Sequence, residues 1–376
     1  MPSAVVRAGT GVAAGVATSA AIALIVGAVA QSPASHDRLV PEDASSHLQR
    51  VAIHYVPSID AKALPVWRQL FAVLPPDVQV EVATPSQTDF DHFETEMRRA
   101  GVAHLERFHA HVVDHSLTTW SRDRMASLED SDGHGVGVLS PPRIAVSTAQ
   151  RAGDWDAPFK LAHDLYGTQP RISDYVFEGG DFAASAHVLY ADDNLIGRNL
   201  GRGDASLDHL QSAVARSFGG DHVVWLGDAA GDVPEHHIMM YTVPLDDTHA
   251  LVGDVREGLA LATGSLEHDP DIETHAARFD RVAALLMARG ISVTRVPVVV
   301  LPGAGSYVTY TNAVFDRDSA GPIVYLPTYR QPALDARATA IYQQLGYRVV
   351  PIDVSTIYTL NGSLGCLVNV MARSAS

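Results

Sequence analysis

The sequence predicts an α/β fold, and two observations predict it. A helix-like segment followed by a short apolar, β-branched run recurs five times, and further strand-like runs lie between these units. Ala61–Phe71 precedes "VQVEVA" at Val78, and Thr88–Ala100 precedes "HAHVVD" at His109. Ala205–Phe218 precedes "HVVWLG" at His222, Asp271–Ala288 precedes "ISVTRVPVVV" at Ile291, and Leu334–Leu345 precedes "YRVVPIDV" at Tyr347. The fourth helix is the most regular, with Ile272, Ala276, Phe279, Ala283 and Leu286 on one face. Gly290 and Gly346 stand where C-caps belong. The intervening strand-like runs are "RIAVSTA" at Arg143, "HVLYA" at His187, "HALVGD" at His249 and "PIVYLP" at Pro322. Repeats of one such unit close into a ring or spread into an open doubly wound sheet. No glycine-rich phosphate loop follows a strand, and periodicity alone does not choose between the two.

The 376 residues are 47% hydrophobic and 19% charged, enough apolar content for a sizeable core. Net charge is −16 and no basic stripe is visible, which argues against a nucleic-acid partner. The run "GVAAGVATSAAIALIVGAVA", Gly11 to Ala30, carries no charge and closes on Ala28-Val29-Ala30. It reads as a secretory signal peptide over 1–30, with an uncleaved N-terminal anchor as the runner-up. Residues 31–48 read as a polar linker, and 49–376 as the single folded domain of an exported protein with no other membrane contact. Cys366 is the only cysteine. It cannot form an internal disulfide, so it is a buried small hydrophobe, an intermolecular link or a reactive thiol.

Four stretches carry chemistry-bearing side chains: "TTWSRDRM" with Trp120, Arg122 and Asp123; "VFEGGDF" with Glu178, Gly179, Gly180 and Asp181; "PEHHIMMYTVPLDD" with His236 and His237; and "NGSLGCLVNV" with Cys366. Taken singly, each is ordinary: a solvated ion pair, a glycine turn, a surface histidine pair. Together they supply a thiol, a titratable acid/base and carboxylates. A cysteine nucleophile needs a histidine that the fold, not the sequence, brings adjacent. Carboxylates beside it suit a guanidinium, whose five N–H donors form a fixed fork.

On these residues the chain resembles the guanidino-group-modifying superfamily, and most closely its agmatine deiminase and bacterial peptidylarginine deiminase branch. That family's W-x-R-D stretch is matched at Trp120–Asp123, its E-G-G-N/D stretch at Glu178–Asp181, its H-x-D stretch in part at His237, and its final G-G-x-x-H-C stretch in part at Asn361–Cys366. "GRN" at Gly197, "SYVTYTNAV" at Ser306 and "YLPTYRQPALDARA" at Tyr325 add support. The resemblance implies a five-bladed α/β propeller, the pentein-like fold with fivefold pseudosymmetry. It implies hydrolytic deimination of agmatine, arginine or a peptidyl-arginine-like substrate, a C–N hydrolase reaction on a linear amidine. Cys366 would attack the guanidinium carbon, His237 would be the general acid/base, Asp123 would pair with the guanidinium, and Glu178 would orient His237 or the substrate. Trp120, Arg122, Gly179, Gly180, Asp181 and the residue at 239 would frame the substrate. No metal or organic cofactor is implied, and oligomeric state is not legible.

Departures from the pattern define a second reading. Met239 stands where the family has an aspartate that clamps the guanidinium. A thioether is no substitute, and removing one partner of a buried ion pair costs about 3–5 kcal/mol. Asn361 replaces a glycine, at a type that tolerates positive φ. Gly365 replaces a histidine beside the thiol, and Arg124-Met125 replace Gly-Pro. A family member with altered specificity, taking an N-substituted guanidine against Met239, and an impaired member that binds a ligand or partner without turnover are both expected readings. Metal binding by His236, His237 and His249 is a weaker expectation, because neighbours on a strand point to opposite faces. "DSDGHG" at Asp130 has the start of a calcium loop without its later ligands.

Overall fold

The computed structural model describes residues 37–143, 151, 153–200, 206–219, 222–262, 266–303 and 306–374. The apolar run at 11–30 and most of "RIAVSTA" lie outside the described residues. In chain order, β1 (Arg38–Leu39) is followed by β2 (Leu48–His54), α1 (Asp60–Val73) and β3 (Gln79–Thr84), then α2 (Gln87–Arg99) and β4 (Phe108–Val112). β2, β3 and β4 are parallel neighbours. Next come β5 (Ala126–Glu129), β6 (Gly135–Ser140), α3 (Asp156–Tyr166) and β7 (Arg171–Ile172). They are followed by β8 (Phe182–Ala184), β9 (Leu189–Asp192), α4 (Asp193–Asn199), α5 (Leu207–Ser217) and β10 (Val223–Leu226). The third group is β11 (Thr242–Asp246), β12 (His249–Asp254), α6 (Val255–Leu261), α7 (Ile272–Ala288), β13 (Ser292–Val300) and β14 (Tyr307–Thr309). The chain ends with β15 (Val314–Asp318), β16 (Gly321–Thr328), α8 (Pro332–Gln344), β17 (Arg348–Asp353), α9 (Leu364–Leu367) and β18 (Asn369–Arg373).

These strands form five small mixed sheets with one shared pattern: an antiparallel pair, a helical crossover, and a third strand parallel to the second. In the fifth sheet the antiparallel partner of β2 is β18, so the last strand of the chain completes the sheet begun by the first large one. Parallel pairing requires a long crossover, and the helix supplies it. All five helix-to-strand units expected from the sequence are present. Gly290 and Gly346 take φ of 81° and 86° just past α7 and α8, a conformation that costs a glycine little.

The largest core lies between helices and sheets. In the sheet that opens the chain, Phe71, Phe93 and Phe108 meet edge-on, with centroids 5.1–6.1 Å apart. The buried Arg107 stacks on two of these rings and donates to the carbonyls of Phe71, Leu74 and Pro75 at the end of α1. The segment expected as a linker is packed from Arg38 onward. β1 pairs with β5, and Leu39, Val40, Ala44 and Leu48 are buried. The buried Arg373 guanidinium holds this segment through the carbonyls of Pro41 and Ser46. Few apolar residues among many polar ones hid it from a compositional reading. Among the described residues, no helix is long and apolar enough to cross a membrane.

Gly258 shows how closely the crossover helices approach the sheets. A Cβ there would stand 2.0 Å from the Val298 carbonyl oxygen, whereas one at Gly197 meets nothing nearer than 3.6 Å. Gly258→Ala is expected to destabilise by about 1–3 kcal/mol through forced separation of α6 from β13. Gly197→Ala, inside α4, is expected to be neutral or to stabilise by roughly 0.5–1 kcal/mol. Thermal unfolding of the two variants checks the contrast.

Candidate active site

The connections between consecutive sheets carry the four sequence-predicted stretches and one more. Trp120–Asp123 lies between β4 and β5, Glu178 between β7 and β8, and His236–His237 between β10 and β11. Asn312 lies between β14 and β15, and Asn361–Cys366 between β17 and β18. One cavity of about 580 Å³ is walled by residues from four of these connections, including Trp120, Asp123, Glu178, His237 and Cys366. Asn312, from the fifth, stands behind Cys366.

Cys366 sits on the short turn α9 and is buried. Its N–H donates to the Ser363 carbonyl and to Asn312 Oδ1 (both 3.1 Å), while Asn312 Nδ2 donates to its sulfur at 3.2 Å. Gly365 permits this packing. A Cβ there would lie 3.1 Å from Asn312 Oδ1 and 3.3 Å from Met239 Cε, so the smaller residue at the family's histidine position matches a crowded site. Asn361 takes φ of 67°, the conformation expected of it.

His237 Nε2–H donates to Glu178 Oε2 at 2.9 Å, and Cys366 is among the neighbours that raise the imidazole pKa. Burial pulls the imidazole pKa down. The Cys366 and Glu178 hydrogen bonds and the nearby Glu178 and Asp181 charges outweigh burial, and the net result is a pKa pushed up to about 10. Burial raises the Cys366 thiol, but its hydrogen bond to His237, the imidazolium charge and Arg122 bring it below its ordinary value. The two directions agree in favouring an ion pair, a thiolate beside an imidazolium, over the neutral pair. His236 is the neutral counterpart. Its Nδ1 accepts the His237 N–H at 2.8 Å and its Nε2 meets the Asn361 carbonyl at 2.8 Å. Burial, with His237⁺ adjacent, pulls its pKa down to about 3. Its φ of 96° is strained for a non-glycine residue, and the two hydrogen bonds hold it there.

Glu178 is the hub. Its Oε1 meets Arg124 and Arg151, each at 3.1 Å. Its Oε2 meets Arg198 and His237, each at 2.9 Å. Burial opposes ionisation, yet these cations hold the carboxyl well below the usual carboxylate range. Both of its oxygens are thus engaged by protein groups. Asp181, fully buried, accepts from Arg198 Nε at 3.0 Å and from the Glu178 N–H at 2.8 Å.

The glycines between them have a steric role. A Cβ on Gly180 would come within 2.3 Å of His237 Cγ, and one on Gly179 within 2.1 Å of the Arg122 carbonyl. Gly362 lets the Trp120 ring lie against the backbone, with its ring carbons 2.6 Å from where a Cβ would be. Of the expected substrate-framing residues, Trp120 lies on the cavity wall, and Arg122, Gly179, Gly180, Asp181 and Met239 stand behind it. Met239 is 3% exposed and packs on Gly365 with its sulfur 2.7 Å from Arg122 Nη1. Arg122 instead takes Glu42, from the N-terminal segment, as its carboxylate partner.

Three residues that the sequence did not single out join the site. Asn312 and Arg198 lay within quoted segments whose roles were unreadable. Arg151 had no signal, and it pairs with both Asp123 and Glu178. The three histidines considered for metal binding do not converge, since His249 Nε2 meets Thr294 Oγ1 at 2.8 Å. Among the described residues, the one cluster with metal-ligand spacing is Asp130, Asp132 and His134 on the β5–β6 turn. There Asp130 Oδ1 accepts the backbone N–H groups of Asp132 and His134.

The profile of the Porphyromonas-type peptidyl-arginine deiminase family matches residues 61–371. Solved structures share the fold at low identity. A Campylobacter jejuni agmatine deiminase superposes with a TM-score of 0.66 at 16% identity, over 90% of this chain and 97% of that one. An agmatine deiminase of Enterococcus faecalis gives 0.67 at 13%, over 90% and 96%. A putative arginine deiminase from Porphyromonas gingivalis gives 0.63 at 16%, over 90% and 98%. No curated protein matches by sequence.

The charge state of the Cys366–His237 pair is testable with neutral iodoacetamide, because the chain holds one cysteine. Alkylation is expected to persist at pH values below those at which a free thiol reacts. His237→Ala removes the two largest influences that lower the thiol, so burial raises it relative to the parent. The rate at pH 7 should then fall by about tenfold or more and climb steadily with pH. A parent rate that titrates like a free thiol contradicts the ion pair.

Proposed function

The chain belongs to the family of Porphyromonas-type peptidyl-arginine deiminases, and from that premise we propose that it hydrolyses a guanidino group to a ureido group and ammonia. The observation that carries this reading is that Cys366, Asp123 and the hydrogen-bonded pair His237–Glu178 line one cavity.

The Cys366 thiolate attacks the guanidinium carbon. Asp123 accepts the substrate's N–H groups and holds the carbon in line with the sulfur. His237, already protonated, gives its proton to the departing nitrogen, and ammonia leaves a thiouronium on Cys366. The imidazole, now neutral, takes a proton from water as the oxygen attacks the same carbon. Collapse expels the thiolate, the remaining hydroxyl proton passes to the released ammonia as ammonium, and His237⁺ is restored. Glu178 keeps the imidazole oriented and stabilises its charge through both halves. Asn312 Nδ2, 3.2 Å from the sulfur, steadies the thiolate as it re-forms. No step needs a metal or organic cofactor.

The same reading takes the five sheets as blades around a pseudo-fivefold axis. It is supported by their common strand pattern and by the convergence of the inter-sheet connections on the site. A crystal structure with the sheets in one open layer overturns it. We also place the reaction outside the cytosol, on the uncharged run 11–30. A mature N-terminus near Gln31 in the exported fraction is the expected finding, and an unprocessed cytosolic protein the contrary one.

Ammonia release and ureido formation, measured with agmatine, free arginine and an arginine peptide, test the function and choose the substrate. Cys366→Ser is expected to abolish turnover, and His237→Ala to lower kcat by about 10²–10⁴-fold. Asp123→Asn should act mainly on KM, raising it by roughly a hundredfold or more. Absence of turnover on every guanidine, with a folded protein, favours ligand binding without catalysis.

A further inference from the structure

Arg151 poses a problem for the carboxylates of this site. Its Nη2 pairs with Asp123 Oδ2, and its Nη1 lies 3.1 Å from Glu178 Oε1. Its side chain is 23% exposed, so it reaches in from the rim. Asp123 and Glu178 line the cavity together with Cys366 and His237. Arg151 thus holds the carboxylate that the proposed reaction assigns to the substrate guanidinium.

The described residues that follow, 153–155, are closely packed. At Gly153 a Cβ would come within 2.0 Å of the Ser116 carbonyl oxygen, so this backbone is pressed against the neighbouring loop. The next residue, Asp154, is fully buried and accepts the Thr118 N–H at 2.6 Å and the Thr118 hydroxyl at 2.7 Å. Trp155 is buried beneath the Arg124 guanidinium, 5.5 Å from ring to carbon. Arg151 Nε is buried without a hydrogen-bond partner, 3.7 Å from Asp154 Oδ2.

Charge completes the argument. Asp123 and Glu178, the acids on the cavity wall, are already paired by Arg151 and Arg198. A substrate that takes Arg151's place on Asp123 leaves the balance unchanged. Resting on the deiminase reading, we infer that Arg151 is a specificity gate: its guanidinium occupies the seat of the substrate guanidinium, and ligands bind by displacing it. The occupant must be another planar amidinium or guanidinium. An ammonium ion offers a point charge and cannot reproduce the two-pronged contact. Part of the binding energy of every substrate is spent on opening the gate, which lowers apparent affinity by the fraction of open protein.

The test is saturation kinetics of Cys366 labelling by 2-chloroacetamidine, an amidinium, beside neutral iodoacetamide, read by intact mass on the full folded domain. Parent, Arg151→Gln and Arg151→Lys are compared, with thermal unfolding as the check on folding. For Arg151→Gln the half-saturating amidine concentration should fall by about tenfold or more, a larger factor than any change in the iodoacetamide rate. Arg151→Lys, a point charge on the same seat, should fall between. An unchanged half-saturation in both variants overturns the gate while leaving the deiminase reading intact. So does an equal acceleration of both reagents, which marks an effect on the thiol alone. Labelling by the amidine that does not saturate in any of the three proteins overturns the gate and the deiminase reading together.

Discussion

A single buried carboxylate organises this molecule's active face. Glu178 engages Arg124 and Arg151 with one oxygen and Arg198 and His237 with the other. A carboxylate so far from water is costly unless its lone pairs are filled by cations. Here four donors fill them, and each comes from a different connection or helix. Breaking the set exposes several charges at once, so the residues around it are constrained as a group. The imidazolium of His237 follows from this, and the lowered thiol pKa of Cys366 follows from the imidazolium.

The departures from the family pattern have a common physical logic. Met239 removes a carboxylate, but it stands behind the cavity wall, where its burial suits an apolar side chain. The cation left beside it, Arg122, is paired by Glu42 from the packed N-terminal segment. Gly365 removes a side chain where Asn312 holds both the N–H and the sulfur of Cys366. Arg124 adds a cation, and Glu178 and the Trp155 ring absorb it. Each change is met by a partner within a hydrogen bond's reach. This pattern is more typical of a site retuned than of one decaying, since an unpartnered buried charge is what neglect leaves behind.

Much of the fold was legible because it is local. Helix periodicity at Ile272–Ala288 and β-branched runs such as "VTRVPVVV" are set by near neighbours, and the glycines at 290 and 346 mark where left-handed backbone ends a helix. The N-terminal segment was not, because its value lies in partners hundreds of residues away: Arg373 clasps Pro41 and Ser46. Short motifs located Cys366, His237, Glu178 and Asp123, but the sequence could not say which would face a ligand. Trp120 reaches the cavity only because Gly362 clears space for its ring.

By itself the sequence determined the residue types available for chemistry: one thiol, paired histidines, and acids flanked by glycines in a repeated α/β chain. Those are properties of composition and local spacing. Only the tertiary structure decided their states and partners. It brought Asn312 to the thiol, gave Glu178 four cations, moved Met239 behind the wall and seated Arg151 on Asp123. Protonation and occupancy depend on burial and on charges a few ångströms away, and those distances are set by the packing of five sheets rather than by separation along the chain.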